Sequence, residues 1–369
     1  MLESFQQGPL ANPFTTAAAG HYSNILVFFI VTVAVGAGIF HRAFGPEDPD
    51  DTRLLEPAVG LEPVEKGCIY LQTVGRNGPL GRKELTMAVQ KLLQLLDIEP
   101  VENDIFRGQS ANIGGKSVFG GQILGQALMA ASRTVDYRRA HSFHSYFLRP
   151  GNMTAPIEYR VERLRDGRSF ATRRVMAIQQ GRSVFDMVAS FQVDEVGFEH
   201  QLEMPRTPRP EQLLPMADLR KRLLETKPGS MRVWPTEIPL DIRPIIPANP
   251  FLLDEHPPMQ TFWCRIPEEV GANPALHRCI LAYAIDFMLL PTASLPHGIW
   301  SRQRNAMMAS LDHAMWFHRD FRIDRWLLFS MESPSASNSR GFSLGNIFNE
   351  DGMLVATAAQ EGLMRRLEE

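Results

Sequence analysis

The apolar residues of this chain change period partway along, and that change limits the folds open to it. From Val118 to Val135, Ile123, Leu124, Ala127, Leu128 and Ala131 recur at the spacing of one helix face. From Pro156 to Arg165 the period falls to two, with Ile157, Tyr159 and Val161 alternating with Glu158, Arg160 and Glu162. Asp166-Gly167 then forms a hairpin turn, Phe170 to Gln179 returns, and Gln180-Gly181 turns again into Ser183 to Val193. An earlier helical stripe, Glu84 to Leu96, carries Leu85, Val89, Leu92, Leu93 and Leu96. One long helix followed by strands joined through tight turns gives an α+β layer and excludes a βαβ repeat.

The order then recurs. Between Gly197 and Pro258 lie twelve prolines, which fix φ and remove backbone donors, so this stretch is expected to connect two units and hold at most one short helix, about Glu211 to Glu225. Beyond it come a helix at Leu276 to Leu290, a strand at Met307 to Phe317, strands around Trp326 to Glu332 and Gly341 to Phe348, a turn at Asp351-Gly352, and Met353 to Glu361. His144-Ser145-Tyr146-Phe147 resembles His313-Ala314-Met315-Trp316 at an offset of 313 − 144 = 169, and the turns at Gly181 and Gly352 differ by 352 − 181 = 171. An internal repeat of about 170 residues follows. The expected organisation is an N-terminal extension over 1–83, a first unit over 84–196, a connection over 197–258 and a second unit over 259–369.

Charge and composition narrow the function. A net charge of −3 over 369 residues, with 44% hydrophobic residues, describes a globular chain without the basic footprint of a nucleic-acid binder. Cys68, Cys264 and Cys279 are too scattered for a disulfide framework or a CxxC metal site, which points to a reducing compartment and to no metal. Residues 22–40 run without a charge, long enough at about 1.5 Å per residue to cross a bilayer core of roughly 30 Å. Arg42 and Arg53 follow this segment and no Lys or Arg precedes it, so an anchor there would leave the rest of the chain in the cytoplasm. The acidic, Pro- and Gly-rich residues 43–83 suggest a linker.

Several longer motifs carry a resemblance. Arg107-Gly108-Gln109-Ser110, the run Val118-Phe119-Gly120-Gly121-Gln122-Ile123-Leu124-Gly125-Gln126-Ala127-Leu128, the run His141 to Gly151, Leu311-Asp312-His313-Ala314-Met315-Trp316-Phe317-His318-Arg319 and Gln360-Glu361-Gly362 resemble the acyl-CoA thioesterase II family over roughly Glu84 to Arg366. The resemblance implies a double hot-dog fold, two long helices each wrapped by an antiparallel sheet and paired within one chain. It also implies hydrolysis of acyl-CoA to a fatty acid and CoA without a cofactor. The family's catalytic Asp, Thr or Ser, and Gln fall on Asp286, Ser310 and Gln360. Physical reasoning supports the first independently: Cys279, Tyr283, Asp286 and Leu290 share one stripe of the second helix, and a carboxylate facing a core demands hydrogen-bond partners. Ser310 and Gln360, polar residues on apolar strands, are available as those partners.

The expected chemistry is general-base attack by a water held between these three groups, with backbone N–H groups at Gly120-Gly121 holding the oxyanion. The first helix has no carboxylate between Val118 and Val135, so one site per chain is expected. Two other readings stand beside it. Gly341-Phe342-Ser343-Leu344-Gly345 satisfies GxSxG and suggests a serine esterase, although the elbow needs a helix after the serine. A non-catalytic acyl-CoA-binding module would make the polar trio structural. Asp312, placed on the strand face of Ser310, is the second choice of base. His141, His144, His313 and His318 lack a ligand spacing, and Gly120-Gly121-x-x-x-Gly125 lacks the ending of a phosphate loop. A homo-oligomer and the acyl length remain open at this level. Removing residues 1–80 is expected to leave a folded, active protein; if the anchor is real, the full chain floats with membranes in a flotation gradient and the truncated one does not.

Overall fold

The computed structural model describes residues 82–226, 238–247, 251, 255–299 and 306–367. The hydrophobic segment 22–40 and the acidic linker lie outside these residues. Helix α1 (Arg82–Leu96) leads into a hairpin of β1 (Glu99–Glu102) and β2 (Ile105–Gly108), then α2 (Gly120–Ser132) and four strands, β3 (Arg139–Phe147), β4 (Ile157–Asp166), β5 (Phe170–Gln179) and β6 (Arg182–Gln192). The second half holds α3 (Met216–Thr226), β7 (Asp241–Ile246), β8 (Met259–Arg265), α4 (Pro274–Ile285), α5 (Leu289–Ser294), β9 (Ala306–Ser310), β10 (Asp312–Phe317), β11 (Leu327–Ser337), β12 (Arg340–Asn349) and β13 (Leu354–Arg366).

All of these strands join one antiparallel sheet, ordered β1-β2-β4-β5-β6-β3-β10-β13-β12-β11-β8-β7, with β9 on the free length of β13. The halves meet where β3 pairs β10. Reading outward from that seam, each half presents the same succession of strands and ends in a hairpin. The proline-rich stretch therefore contributes more than a connection and a helix, because β7 comes from it and forms the sheet's edge. Pro244 is tolerated there because an edge strand need not donate on its outer side.

The repeat is present, and backbone bonds set its register. The N–H groups of Leu148 and Arg149 both donate to the Val184 carbonyl, as those of His318 and Arg319 do to Val355. These matches put β3 and β10 at an offset of 170 and β6 and β13 at 171. The pairing of His144 with His313 at 169 is thus out by one residue. Strand alternation makes that a change of face: His144 is exposed on the outer side, while His313 is buried on the inner side.

The second helix differs from expectation in a way that matters. Pro291 has no N–H to give the Phe287 carbonyl, and its ring obstructs a continuous helix, so the chain ends α4 at Asp286 and restarts at Leu289. Helices α4 and α2 run antiparallel in contact, Gly121 lying beside the Tyr283 carbonyl and Gly125 beside that of Cys279. Both are buried on nearly every side, which is why they are apolar all round rather than striped. The helical stretch Pro274–His297 is long and apolar enough to cross a membrane, yet 94% of its apolar window is buried inside the fold.

This contact yields a prediction. A methyl group at Gly121 would overlap the Tyr283 carbonyl oxygen, which is backbone and cannot swing aside. Gly121→Ala should destabilise by about 1–3 kcal/mol through forced separation of the helices, although alanine is the better helix former. Urea unfolding measures it, and a variant as stable as the parent would show that the helices are not in close contact here.

Candidate active site

A carboxylate at the end of a buried helix must find donors, and the break at Pro291 decides which ones Asp286 meets. As the C-cap of α4, Asp286 is turned out of the helix's own hydrogen-bond pattern toward the start of α2. The backbone N–H of Gly121 donates to its carboxylate. A Cβ on Gly120 would lie 2.7 Å from Asp286 Oδ2, so only glycine leaves room for the carboxylate at this helix N-terminus. The partial positive charge of that N-terminus favours an anion.

Two side chains complete the seat. Ser310 ends β9 opposite Gly362, and Gln360 lies on the inner face of β13. Ser310 Oγ donates to Asp286 Oδ1 at 3.1 Å, and Gln360 Nε2 donates to the same oxygen at 2.6 Å. Gln360 Nε2 also donates to Ser310 Oγ at 3.0 Å, closing a triangle. The three residues named from the sequence therefore converge. Burial pushes the Asp286 carboxyl above the usual carboxylate range, while the bonds from Gln360, Ser310 and Gly121 pull the other way without cancelling it. Such a group is a stronger base than an exposed aspartate.

Three expectations change. The Gly121 N–H faces the carboxylate and is not free to hold an oxyanion. Asp312 does not share the site, because the strand breaks at Leu311, whose N–H bonds Glu361 and whose carbonyl accepts from Phe147. Past that break the faces are exchanged. Asp312 Oδ1 accepts the Glu361 N–H at 2.7 Å, and His313 turns inward instead. Ser343 lies mid-strand in β12, fully buried and opposite Gln360, so the GxSxG pattern forms no nucleophile elbow.

His313 stands beside the trio although no motif places it there. Its Nδ1 is 3.9 Å from Asp286 Oδ1, and neither ring nitrogen has a hydrogen-bond partner among the described residues. Burial pushes its pKa down to about 3, so the ring is neutral. The sequence signal was its alternation with Met315 and Phe317, which marks a core-facing position. The other histidines are dispersed: His141 bonds Ser190, His318 bonds Thr357 and His144 packs edge-on against Trp316. No three His, Cys, Asp or Glu side chains converge as a metal site among the described residues.

The first half has no such constellation. The same offsets place Ala140, Phe143 and Ala189 where the second half has Ser310, His313 and Gln360, and the pairing of Ala140 with Phe191 mirrors that of Ser310 with Gly362. Its polar motif residues build structure. Gln126 Oε1 accepts from Tyr159 at 2.6 Å, and Gln126 and Gln122 both donate to the Gln109 carbonyl, fastening the loop after β2 onto α2. Asn152 and Thr154 bond each other in a local turn.

Comparison with known proteins agrees with this architecture. Residues 108–192 match the family described as acyl-CoA thioesterase N-terminal domain, and residues 232–363 that described as acyl-CoA thioesterase. The chain is 40% identical over 282 residues to human acyl-coenzyme A thioesterase 8, covering 73% of this chain and 88% of that protein. It is 39% identical to acyl-CoA thioesterase 2 of Haemophilus influenzae, covering 75% and 98%. Among solved structures, acyl-CoA thioesterase II TesB2 of Mycobacterium marinum superposes with a TM-score of 0.62 at 39% identity, covering 74% and 98%. A hot-dog-fold protein of Alicyclobacillus acidocaldarius shares the fold at 18% identity and a TM-score of 0.59, covering 75% and 99%.

Burial of Asp286 has a consequence for stability. A carboxyl whose pKa is raised on folding costs nothing below its unfolded pKa of about 4, where both states are protonated, and costs most above the folded pKa. The stability of Asp286→Asn relative to the parent should therefore rise as pH climbs from about 4 through the raised value, as read from urea midpoints at pH 4.5 and 8. A difference that does not vary with pH would mean that the carboxyl is not held above its ordinary range.

Proposed function

The chain belongs to the acyl-CoA thioesterase II family and is an acyl-CoA hydrolase with a double hot-dog fold; from that premise we propose that Asp286 is its general base, seated by Ser310 and Gln360. The observation that carries this reading is a buried carboxylate with raised basicity, its Oδ1 occupied by two side-chain donors. Both donors are already turned onto the carboxylate and so orient the base, while Gln360 Oε1, without a partner among the described residues, stays open to the attacking water.

The reaction proceeds without a covalent intermediate. A water bonded to Asp286 gives it a proton as the water oxygen attacks the thioester carbonyl carbon. The tetrahedral adduct collapses, the C–S bond breaks, and the electron pair leaves on the CoA sulfur. The carboxyl returns the proton to that sulfur, a transfer helped by the ordinary thiol pKa of about 8.5 lying above that of a carboxyl. The products are a fatty acid and CoA, placing the enzyme in fatty acid metabolism.

The serine-esterase reading loses support because the Ser343 hydroxyl is fully buried and has no hydrogen-bond partner, hence no base, among the described residues. A cytoplasmic setting fits the free, buried thiols of Cys264 and Cys279, the latter pushed up to about 12 by burial. An anchor through residues 22–40 and a homo-oligomer remain finer parts of the same proposal.

Asp286→Asn should lower turnover by about 10²- to 10⁴-fold, as loss of a general base does, with acyl-CoA binding largely kept. Ser310→Ala and Gln360→Ala should each slow the enzyme, and either combined with Asp286→Asn should cost much less than the product of the separate losses. Release of free thiol from acyl-CoAs of graded length measures all of these, and a folded Asp286→Asn enzyme at parental speed would overturn the assignment. In the parent, kcat/KM should fall as pH drops through a pKa above the ordinary aspartate range. Ser343→Ala should keep most activity, and phosphonylating serine reagents should not block the enzyme; a stoichiometric adduct at Ser343 with lost activity would restore the esterase reading.

A further inference from the structure

We propose that His313 is a positioning residue for the base: a neutral imidazole with its proton on Nδ1, donating to Asp286 Oδ1 and holding the carboxylate in its working orientation. This rests on the assignment of Asp286 as base.

The internal repeat supplies the first argument. Where the catalytic half departs from its counterpart around the carboxylate, three apolar residues are replaced by polar ones. Ala140 gives way to Ser310, Ala189 to Gln360 and Phe143 to His313. Two of the three changes belong to the seat of Asp286, and the third is otherwise unexplained. A phenyl ring at this position satisfies the packing in the first half, so bulk alone does not require a histidine.

Geometry supplies the second. His313 is fully buried, with Phe143 stacked on it at a centroid distance of 5.9 Å, and neither of its nitrogens is satisfied. An imidazole left so costs free energy unless it acts on a neighbour. The neighbour in range is Asp286 Oδ1 at 3.9 Å, and catalytic bonds that are long in a free enzyme tighten when substrate is bound. Because Nδ1 faces a carboxylate, a bare lone pair there would be repelled, which assigns the proton to that nitrogen.

The groups facing this pair are few. Ser310 comes from β9, Gln360 from β13 and the Gly121 N–H from α2, with Ser343 of β12 paired opposite Gln360. Asp312 and Glu361 are the nearest acidic neighbours along their strands, and Asp312 is turned to the Glu361 amide. Apart from the action of Asp286 and His313 on each other, what shifts Asp286 is burial and the bonds from Gln360, Ser310 and Gly121, and what shifts His313 is burial. The pH response of the base therefore reports its hydrogen-bond donors.

Substitution tests this directly, because an asparagine amide nitrogen overlies Nδ1 of histidine and a glutamine amide nitrogen overlies Nε2. His313→Leu and His313→Gln remove the donor to the carboxylate, so the acid limb of kcat/KM should move up by about one pH unit. Below the parental limb kcat should then fall about tenfold, with KM little changed. His313→Asn should restore the parental limb. Thermal unfolding verifies that each variant is folded, and if leucine does not fold, the contrast between Gln and Asn decides alone. A limb that stays in place in folded His313→Leu or His313→Gln, or that moves as far in His313→Asn as in His313→Gln, overturns the proposal. Asp286→Asn is run in parallel: if its residual rate keeps the parental limb, it is the assignment of the base that fails, whatever His313 does.

Discussion

The carboxylate of Asp286 set against the N-terminus of α2 is the interaction on which the site depends. Burying an ionised carboxyl costs several kcal/mol unless donors surround it, and this fold supplies them from three different elements. The helix start gives a backbone N–H, β9 gives Ser310 and β13 gives Gln360. That convergence requires α2 and α4 to touch, which glycines at positions 121 and 125 allow. It also requires α4 to stop at Asp286, which Pro291 enforces. Packing and chemistry are therefore linked: the raised basicity that suits a general base comes from the burial that the donors only partly offset.

The layer occurs twice in this chain, and among the described residues the carboxylate with its two side-chain donors occurs once. Duplication builds the long sheet and places the two central helices side by side, and the site uses that arrangement asymmetrically. The first half lends the N-terminus of its helix; the second half brings the carboxylate and its side-chain donors. Elsewhere in the first half the polar motif residues serve the scaffold, Gln122 and Gln126 fastening the loop at Gln109, and Gln179 bonding the Asn152 loop through both ends of its amide. Motifs that look alike in the sequence thus divide between structure and chemistry according to which half they occupy.

Much of this was legible in the amino-acid sequence. Alternation located β4, β5 and β6 because each has one wet face, and the turn at Gln180-Gly181 is marked by a glycine with positive φ. The trio was found through family resemblance, supported by the oddity of Asp286 in an apolar helix. Other features had no local signature. Asn338 and Ser339 both take positive φ between β11 and β12 without the Asn-Gly or Asp-Gly pair that usually announces such a turn. Strand β7 was hidden because its proline spoils the pattern of an interior strand, and only its edge position makes it tolerable. The break at Leu311 has no local signature, and alternation carried through it puts Asp312 on the inner face and His313 away from the site. These depend on neighbours distant in sequence, which one-dimensional patterns do not contain.

Asp286 is proposed to activate water and never to bond to the acyl group. A single turnover in H2¹⁸O, with enzyme in excess over acyl-CoA, tests it most directly. Direct hydrolysis predicts fatty acid carrying one ¹⁸O and an unlabelled peptide spanning Asp286 by mass spectrometry. Unlabelled fatty acid from that first turnover, with ¹⁸O in the Asp286 carboxyl, would mean that the carboxylate attacked the thioester itself and would contradict the account.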